Sequence, residues 1–314
     1  MSYLRFDKTL MTNLEESLPK EILRSNRSGA YSCSTIVDCN TRKYHGLLVV
    51  PVPELDDENH VLLSSLDATV IQHGAEFNLG LHKYGGGNFS PRGHKYIREF
   101  HSQQVPTTIY RVGDVILRRE MMFQHFENRI IIRYTLVDSH CPTTMRLQPF
   151  LAFRSVREYT YENDHVNRDF QEIENGIKTC MYPGIEYPKE QERGYAGNED
   201  LYVPGYFVFT IDKGESVVFS AGLNEIDTST LAELADYERN VRTPRDNFYN
   251  TLVNSAHQFF VHREHEDYVL AGYPWFKCRA RDMFISLPGL TLTNNEVKKF
   301  DDVMETAEKA IRQF

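Results

Sequence analysis

"RIIIRYTLV" (residues 129–137) is the stretch from which the fold can be read. Ile130, Ile132, Tyr134 and Leu136 share one face, while Arg133 and Thr135 lie on the other. That period of two is the mark of a β-strand. Working outward, "KYHGLLVV" (43–50), "TMRLQPFLAF" (144–153) and "YFVFTI" (206–211) add strands of the same kind. "TTIYRVGDVILRREMMF" (107–123) reads as a hairpin turning at Gly113-Asp114. Such runs recur as far as residue 225, and no helical segment of crossover length separates them. The pattern predicts a mainly β domain over residues 1–225, a large antiparallel sandwich.

The period then changes to that of a helix. "STLAELADYERNV" (229–241) predicts one helix. Thr243-Pro244 is placed to start the next, with Thr243 as cap and Pro244 at the first helical position. Its apolar stripe would be Phe248, Leu252, Ala256, Phe259 and Phe260. In the last segment Val297, Phe300, Val303, Met304, Ala307, Ala310, Ile311 and Phe314 recur at helical spacing. Residues 226–314 are therefore expected to be helices. The final stripe needs a surface to pack on. We expect that surface in chain beyond Phe314, on the sandwich, or in a second subunit as a homo-oligomer built through the terminal helices.

Composition narrows the class. The 314 residues carry 41% hydrophobic and 25% charged side chains, as a folded globular protein does. A net charge of −9 argues against a nucleic-acid partner. No apolar run approaches a membrane span, and the N-terminus has no signal-peptide core. The five cysteines show no CxxC spacing, which predicts reduced thiols, no disulfide, and a cytoplasmic location. Cys33 and Cys39 flank "STIV", which if extended would hold them too far apart to bridge. "KYGGGNFSPRG" (83–93) lacks the Gly-Lys-Ser/Thr ending of a phosphate loop and reads as an exposed loop. "YPKEQERGYAGNED" (187–200) is the most loop-like insertion.

Three stretches could carry chemistry. Arg42, Tyr44 and His45 cluster in "NTRKYHG" before an apolar strand, either as a turn or as a binding group. "HQFFVHREHED" (257–267) offers His262 and His265, but the order that puts two ligands on one helical face is missing. We read it as a solvated helix end and predict neither a metal nor a cofactor. "AGYPWFKCRARDMFISLPGLTL" (271–292) sets Tyr273, Trp275 and Phe276 beside Arg281-Asp282. Aromatic faces take the C–H faces of sugars, and the carboxylate and guanidinium match their hydroxyls. A plain capping role for Asp282 at a helix start is the competing reading.

Two of these stretches carry a resemblance. "SNRSGAYSCSTIVDCNTRKYHGLLVV" and "AGYPWFKCRARDMFISLPGLTL" are similar to two motifs of the bacterial and archaeal glycogen-debranching (amylo-α-1,6-glucosidase) family, in the same order. "ENRIIIRYTL" and "LQPFLAFRS" between them fit as well. The resemblance implies an N-terminal β-supersandwich followed by the opening helices of an (α/α)6 barrel. It implies an α-glucan substrate, with Arg281, Asp282, Trp275, Tyr273 and Phe276 binding it and Arg42, Tyr44 and His45 as further candidates. The acid and base of hydrolysis are expected beyond residue 314, leaving this chain inactive alone. Where the family usually has Trp-Gly-Arg-Asp, this chain has Arg279-Ala280-Arg281-Asp282, so an aromatic wall is missing or supplied elsewhere. A non-catalytic carbohydrate-binding sandwich, or a related helical-barrel hydrolase acting on another α-glucan, are the alternatives.

Overall fold

The computed structural model describes residues 3–53, 55–56, 58–161, 192 and 197–312, together with the backbone of 180–186. Two large antiparallel sheets face each other. The six-stranded one runs, in spatial order, Arg5–Asp7, Ile97–Ser102, Pro106–Val112, Val115–Phe123, Arg129–Asp138 and Ser216–Gly222. The eleven-stranded one is centred on Asn59–Gln72 and Thr143–Ser155, which pair antiparallel over nearly their full length. Leu63, Leu66 and Val70 of the second sheet meet Leu117, Phe123, Ile130, Ile132 and Leu136 of the first in one core.

The strand Arg129–Asp138 shows why the run is so apolar. Its even face lies in the inter-sheet core. On the odd face Ile131 packs with Met122 and Ala235, beneath the helix Leu231–Asn240. Arg133 there donates to Asp236 at 2.7 Å and to the Ala232 carbonyl at 2.8 Å. A helix thus covers the outer face, and both faces are buried. The hairpin turns at Gly113-Asp114 as the sequence predicts, with Val112 opposite Val115.

Several local expectations are corrected. Residues 83–93 form most of a β-hairpin, Leu81–Tyr84 with Asn88–Arg92, whose tip uses the left-handed Gly86 and Gly87. The strand through Cys33 ends at Thr35, and "STIV" is not extended to its end. Asp38 turns left-handed (φ 57°) and its carboxylate pairs with Arg119 of the facing sheet at 2.9 Å. Cys33, Cys39, Cys141 and Cys278 are free thiols, while the side chain of Cys180 lies outside the described residues. Burial pushes the Cys33 and Cys39 thiols up to about 12. The 187–200 insertion also falls largely outside the described residues.

The second helix starts at Phe248, capped by Asn247, whose side chain accepts from the Asn250 N–H at 2.8 Å. Thr243-Pro244 does not start it, because the Arg245 N–H is tied to the Gln103 carbonyl at the sandwich edge (2.8 Å). That helix ends at His257 rather than running through Phe260. Residues 260–278 instead form a small three-stranded sheet, Phe260–Arg263, Glu266–Gly272 and Phe276–Cys278. Its first turn is Glu264-His265, both left-handed, a two-residue hairpin of the kind that matches strand twist. The "HQFFVHREHED" stretch is therefore not a helix end, and His262 faces Asp267 across the hairpin at 3.1 Å.

Phe260 and Val269 of this sheet form a satellite core with Met283 and Leu287 of the helix Ala280–Leu290. Val303 and Ala307 of the helix Val297–Arg312 complete it. Part of the terminal stripe thus packs within the chain, while Val297 and Ile311 remain exposed and Phe314 lies outside the described residues. No helix among the described residues is long and apolar enough to cross a membrane.

Candidate functional site

The chain leaves the strand Glu266–Gly272, turns through Tyr273, Pro274 and Trp275, and returns as Phe276–Cys278, with Gly272 opposite Phe276. This turn presses against the edge of the sandwich. Between them lies a pocket of about 220 Å³ bounded by Tyr44, Glu58, Arg157, Trp275, Phe276 and Arg279. Two stretches far apart in sequence, each a weak signal alone, therefore build one site.

Arg42 joins them. Its guanidinium lies 5.5 Å from the Trp275 ring centroid, and its Nε donates to Glu21 Oε1 at 2.7 Å. Glu21 in turn lies 3.6 Å from Nε2 of His45, which is fully buried. Burial alone would raise the Glu21 carboxyl, but His45 and Arg42 beside it outweigh that and hold it below its ordinary range. The order His45, Glu21, Arg42, Trp275 is a strut running from the sandwich interior to the pocket rim.

Glu21, Cys33 and His45 offer ligand atoms within 4.8 Å of one another, a spacing a metal ion could use. The donor set does not suit one. The Thr41 N–H donates to Nδ1 of His45 at 3.2 Å, so the neutral ring carries its proton on Nε2, the atom facing Glu21. Burial pushes the Cys33 thiol up, against the thiolate form a metal would need, and Arg42 already occupies Glu21.

Gly46, which follows His45, has a spatial reason. A Cβ there would come within 2.9 Å of Val49 and Val61 side-chain atoms, so a larger residue would shift the start of the strand Gly46–Pro51 and with it the turn carrying Tyr44 and His45.

Of the sequence candidates, Tyr44, Trp275 and Phe276 line the pocket, and Arg42 backs it. His45 supports Glu21 from behind. Tyr273 points elsewhere: its ring packs edge-on against Tyr31 (5.6 Å), near Phe259, and burial raises its phenol well above the usual range. Arg281 and Asp282 are exposed in the first turn of the helix Ala280–Leu290 and do not line this pocket. Asp282 there is also favourably placed beside the helix N-terminus.

Glu21, Glu58, Arg157 and Lys277 escaped the sequence reading. Glu58 and Arg157 form an ion pair at 2.9 Å on the pocket wall. Neither sits in a motif, and only their meeting across the sheet edge marks them. Arg279, read from sequence as the loss of an aromatic, lies 4.4 Å over the Phe276 ring. The aromatic wall at this point comes from Phe276 itself.

Residues 20–218 match the family model described as glycogen debranching enzyme N terminal, and residues 254–313 match the model described as amylo-alpha-1,6-glucosidase. The first match alone covers more than half of the 314 residues. No curated protein matches the chain.

Proposed function

Since the chain belongs to the glycogen debranching enzyme family, we propose that it supplies glucan-binding surface to an α-1,6-glucosidase that removes branch-point glucose. The observation that carries this reading is the pocket that Tyr44 from the sandwich and Trp275 and Phe276 from the hairpin line together. The C–H faces of a glucose ring suit such an aromatic lining, with the Glu58 carboxylate and the Arg157 guanidinium in the same pocket to meet hydroxyls. Arg281 and Asp282, exposed just beyond the pocket, offer a donor and an acceptor to a glucan that extends past it. Residues 226–314 would be the opening of the helical barrel that completes the enzyme.

The pocket is suited to holding sugar rather than cleaving it. Glycoside hydrolysis needs two carboxyl groups flanking the bond, about 5–9.5 Å apart depending on mechanism. Among the described residues, Glu58 is the one carboxylate lining this pocket, and it is committed to Arg157. The test uses the single tryptophan, Trp275. A branched malto-oligosaccharide should change its emission saturably, and the 314-residue chain should release no glucose from the same sugar. Unchanged emission at saturating sugar would refute the binding role. Glucose release abolished by Glu58→Gln would refute the division of labour.

A further inference from the structure

We propose that the Tyr44–Trp275–Phe276 pocket accepts a glucosyl unit bearing a phosphomonoester, with Lys277 and Arg279 receiving the phosphate. The inference rests on the glucan reading of the pocket and narrows its ligand class.

Charge carries the argument. The protein as a whole has a net charge of −9, yet basic side chains outnumber acidic ones here. Among the described residues, Arg157, Lys277 and Arg279 line the pocket against Glu58 alone. The 2.9 Å pair between Arg157 and Glu58 cancels one of the three. Lys277 and Arg279 are exposed, and neither forms an ion pair with a carboxylate of the described residues. Among the described residues, two positive charges are therefore left over at this pocket.

Their geometry suits an anion attached to a ring. Arg279 sets its guanidinium carbon 4.4 Å from the Phe276 ring centroid, and none of its N–H donors is committed to a carboxylate of the described residues. Arg279 also precedes the helix Ala280–Leu290 and makes no side-chain capping bond, so the helix N-terminus contributes in the same sense. Asp282 in that first turn offsets part of this field. A neutral sugar would use the aromatic faces and leave both cations without a partner. A phosphomonoester, carrying a charge of about −1.5 to −2 at neutral pH, satisfies both.

Size agrees. About 220 Å³ is below the roughly 300–1,000 Å³ typical of drug-sized ligands, room for one substituted ring rather than an oligosaccharide. A phosphorylated branch of a glucan and a free hexose phosphate share this chemistry.

The experiment is a set of Trp275 emission titrations on the 314-residue chain. The ligands are glucose, a neutral malto-oligosaccharide, glucose 6-phosphate, a phosphorylated dextrin and inorganic phosphate. Glucose 6-phosphate is expected to bind about tenfold or more tighter than glucose, because charge-assisted hydrogen bonds replace neutral ones. That advantage should shrink with added salt, and inorganic phosphate alone should bind more weakly than the sugar phosphate. Lys277→Ala with Arg279→Ala should abolish the advantage; Lys277→Gln with Arg279→Gln, which keeps side-chain bulk, should do the same if the first variant folds poorly. A phosphorylated dextrin binding as tightly as glucose 6-phosphate would place the ester on the polymer, and weaker binding would place it on a free hexose. Equal affinity for glucose and glucose 6-phosphate, or an advantage that survives both double variants, overturns the inference and leaves the neutral-glucan reading standing. Inorganic phosphate binding as tightly as the sugar phosphate also overturns it. If neither the malto-oligosaccharide nor the sugar phosphate alters the emission, both readings fall.

Discussion

Glu199→Gln should destabilise the protein more than any surface substitution near the pocket. Arg154 and Glu199 form an ion pair whose side chains are 3% and 0% exposed. The guanidinium faces both carboxylate oxygens, Nη2 to Oε1 at 3.2 Å and Nε to Oε2, and Nη1 donates to the Ser155 carbonyl at 3.1 Å. The strand that carries Arg154 ends at Ser155, and the turn that follows holds Val156 and Arg157, two residues lining the pocket. Glutamine keeps the shape and one acceptor but removes the counter-charge that Glu199 supplies to a buried cation. Breaking a buried pair in this way costs about 3–5 kcal/mol, and the retained acceptor points to the lower end, ~3 kcal/mol. With a urea m-value of about 1–3 kcal/mol/M, the unfolding midpoint should fall by roughly 1–3 M. The assay is urea unfolding followed by far-UV circular dichroism and by Trp275 emission. Arg154→Met combined with Glu199→Leu, which removes both charges, should recover most of the loss. A Glu199→Gln midpoint equal to that of the parent would refute the reasoning. So would a double variant as damaged as the single one, since the cost would then not lie in an orphaned buried charge.

Further expectations concern the strut, the platform and the thiols. Glu21 has a carboxyl pKa held below its ordinary value, so its contribution is complete above about pH 4.3 and is lost as pH falls through the lower folded value. Trp275 emission should change in that acid window, and Glu21→Gln should remove the change; a variant that titrates like the parent would exclude the strut. Trp275→Ala should weaken binding of a branched malto-oligosaccharide, measured by calorimetry because the fluorophore is gone, by about tenfold on the scale of an aromatic contact with its buried area. Asp282→Asn should weaken a branched tetrasaccharide more than glucose; an equal effect on both would remove Asp282 from the extended site. In the native protein the exposed Cys278 should react with a thiol reagent well before the buried Cys33 and Cys39, and all five cysteines should react after unfolding without reductant. Fewer than five would reveal a disulfide.

Local pattern carried the sequence reading a long way, and its failures are local too. The period of two in residues 129–137 and the hairpin at Gly113-Asp114 are visible because side-chain alternation and turn chemistry are properties of a short segment. The hairpin at residues 260–272 was hidden because its turn uses Glu264 and His265 in left-handed conformations, without the Asn-Gly or Asp-Gly that signals such a turn. The Phe259-Phe260 doublet then continued the preceding helical stripe by coincidence of spacing. Thr243-Pro244 looked like a helix start until the sandwich edge took the Arg245 amide and Asn247 became the cap.

From the residues alone came the mainly antiparallel β character of the first part, the helices after it, and the two motifs that resemble one enzyme family. Each depends on what neighbouring residues in the chain do to one another. The tertiary structure decided which residues meet. It placed Arg42 on Trp275, brought Tyr44 and Phe276 to one pocket, and drew in Glu21, Glu58 and Arg157 from outside either motif. It also turned Tyr273 inward and left Arg281 and Asp282 outside the pocket. A side chain's partner is set by strand order and sheet packing, and a motif read along the chain holds no information about the edge against which it will fold.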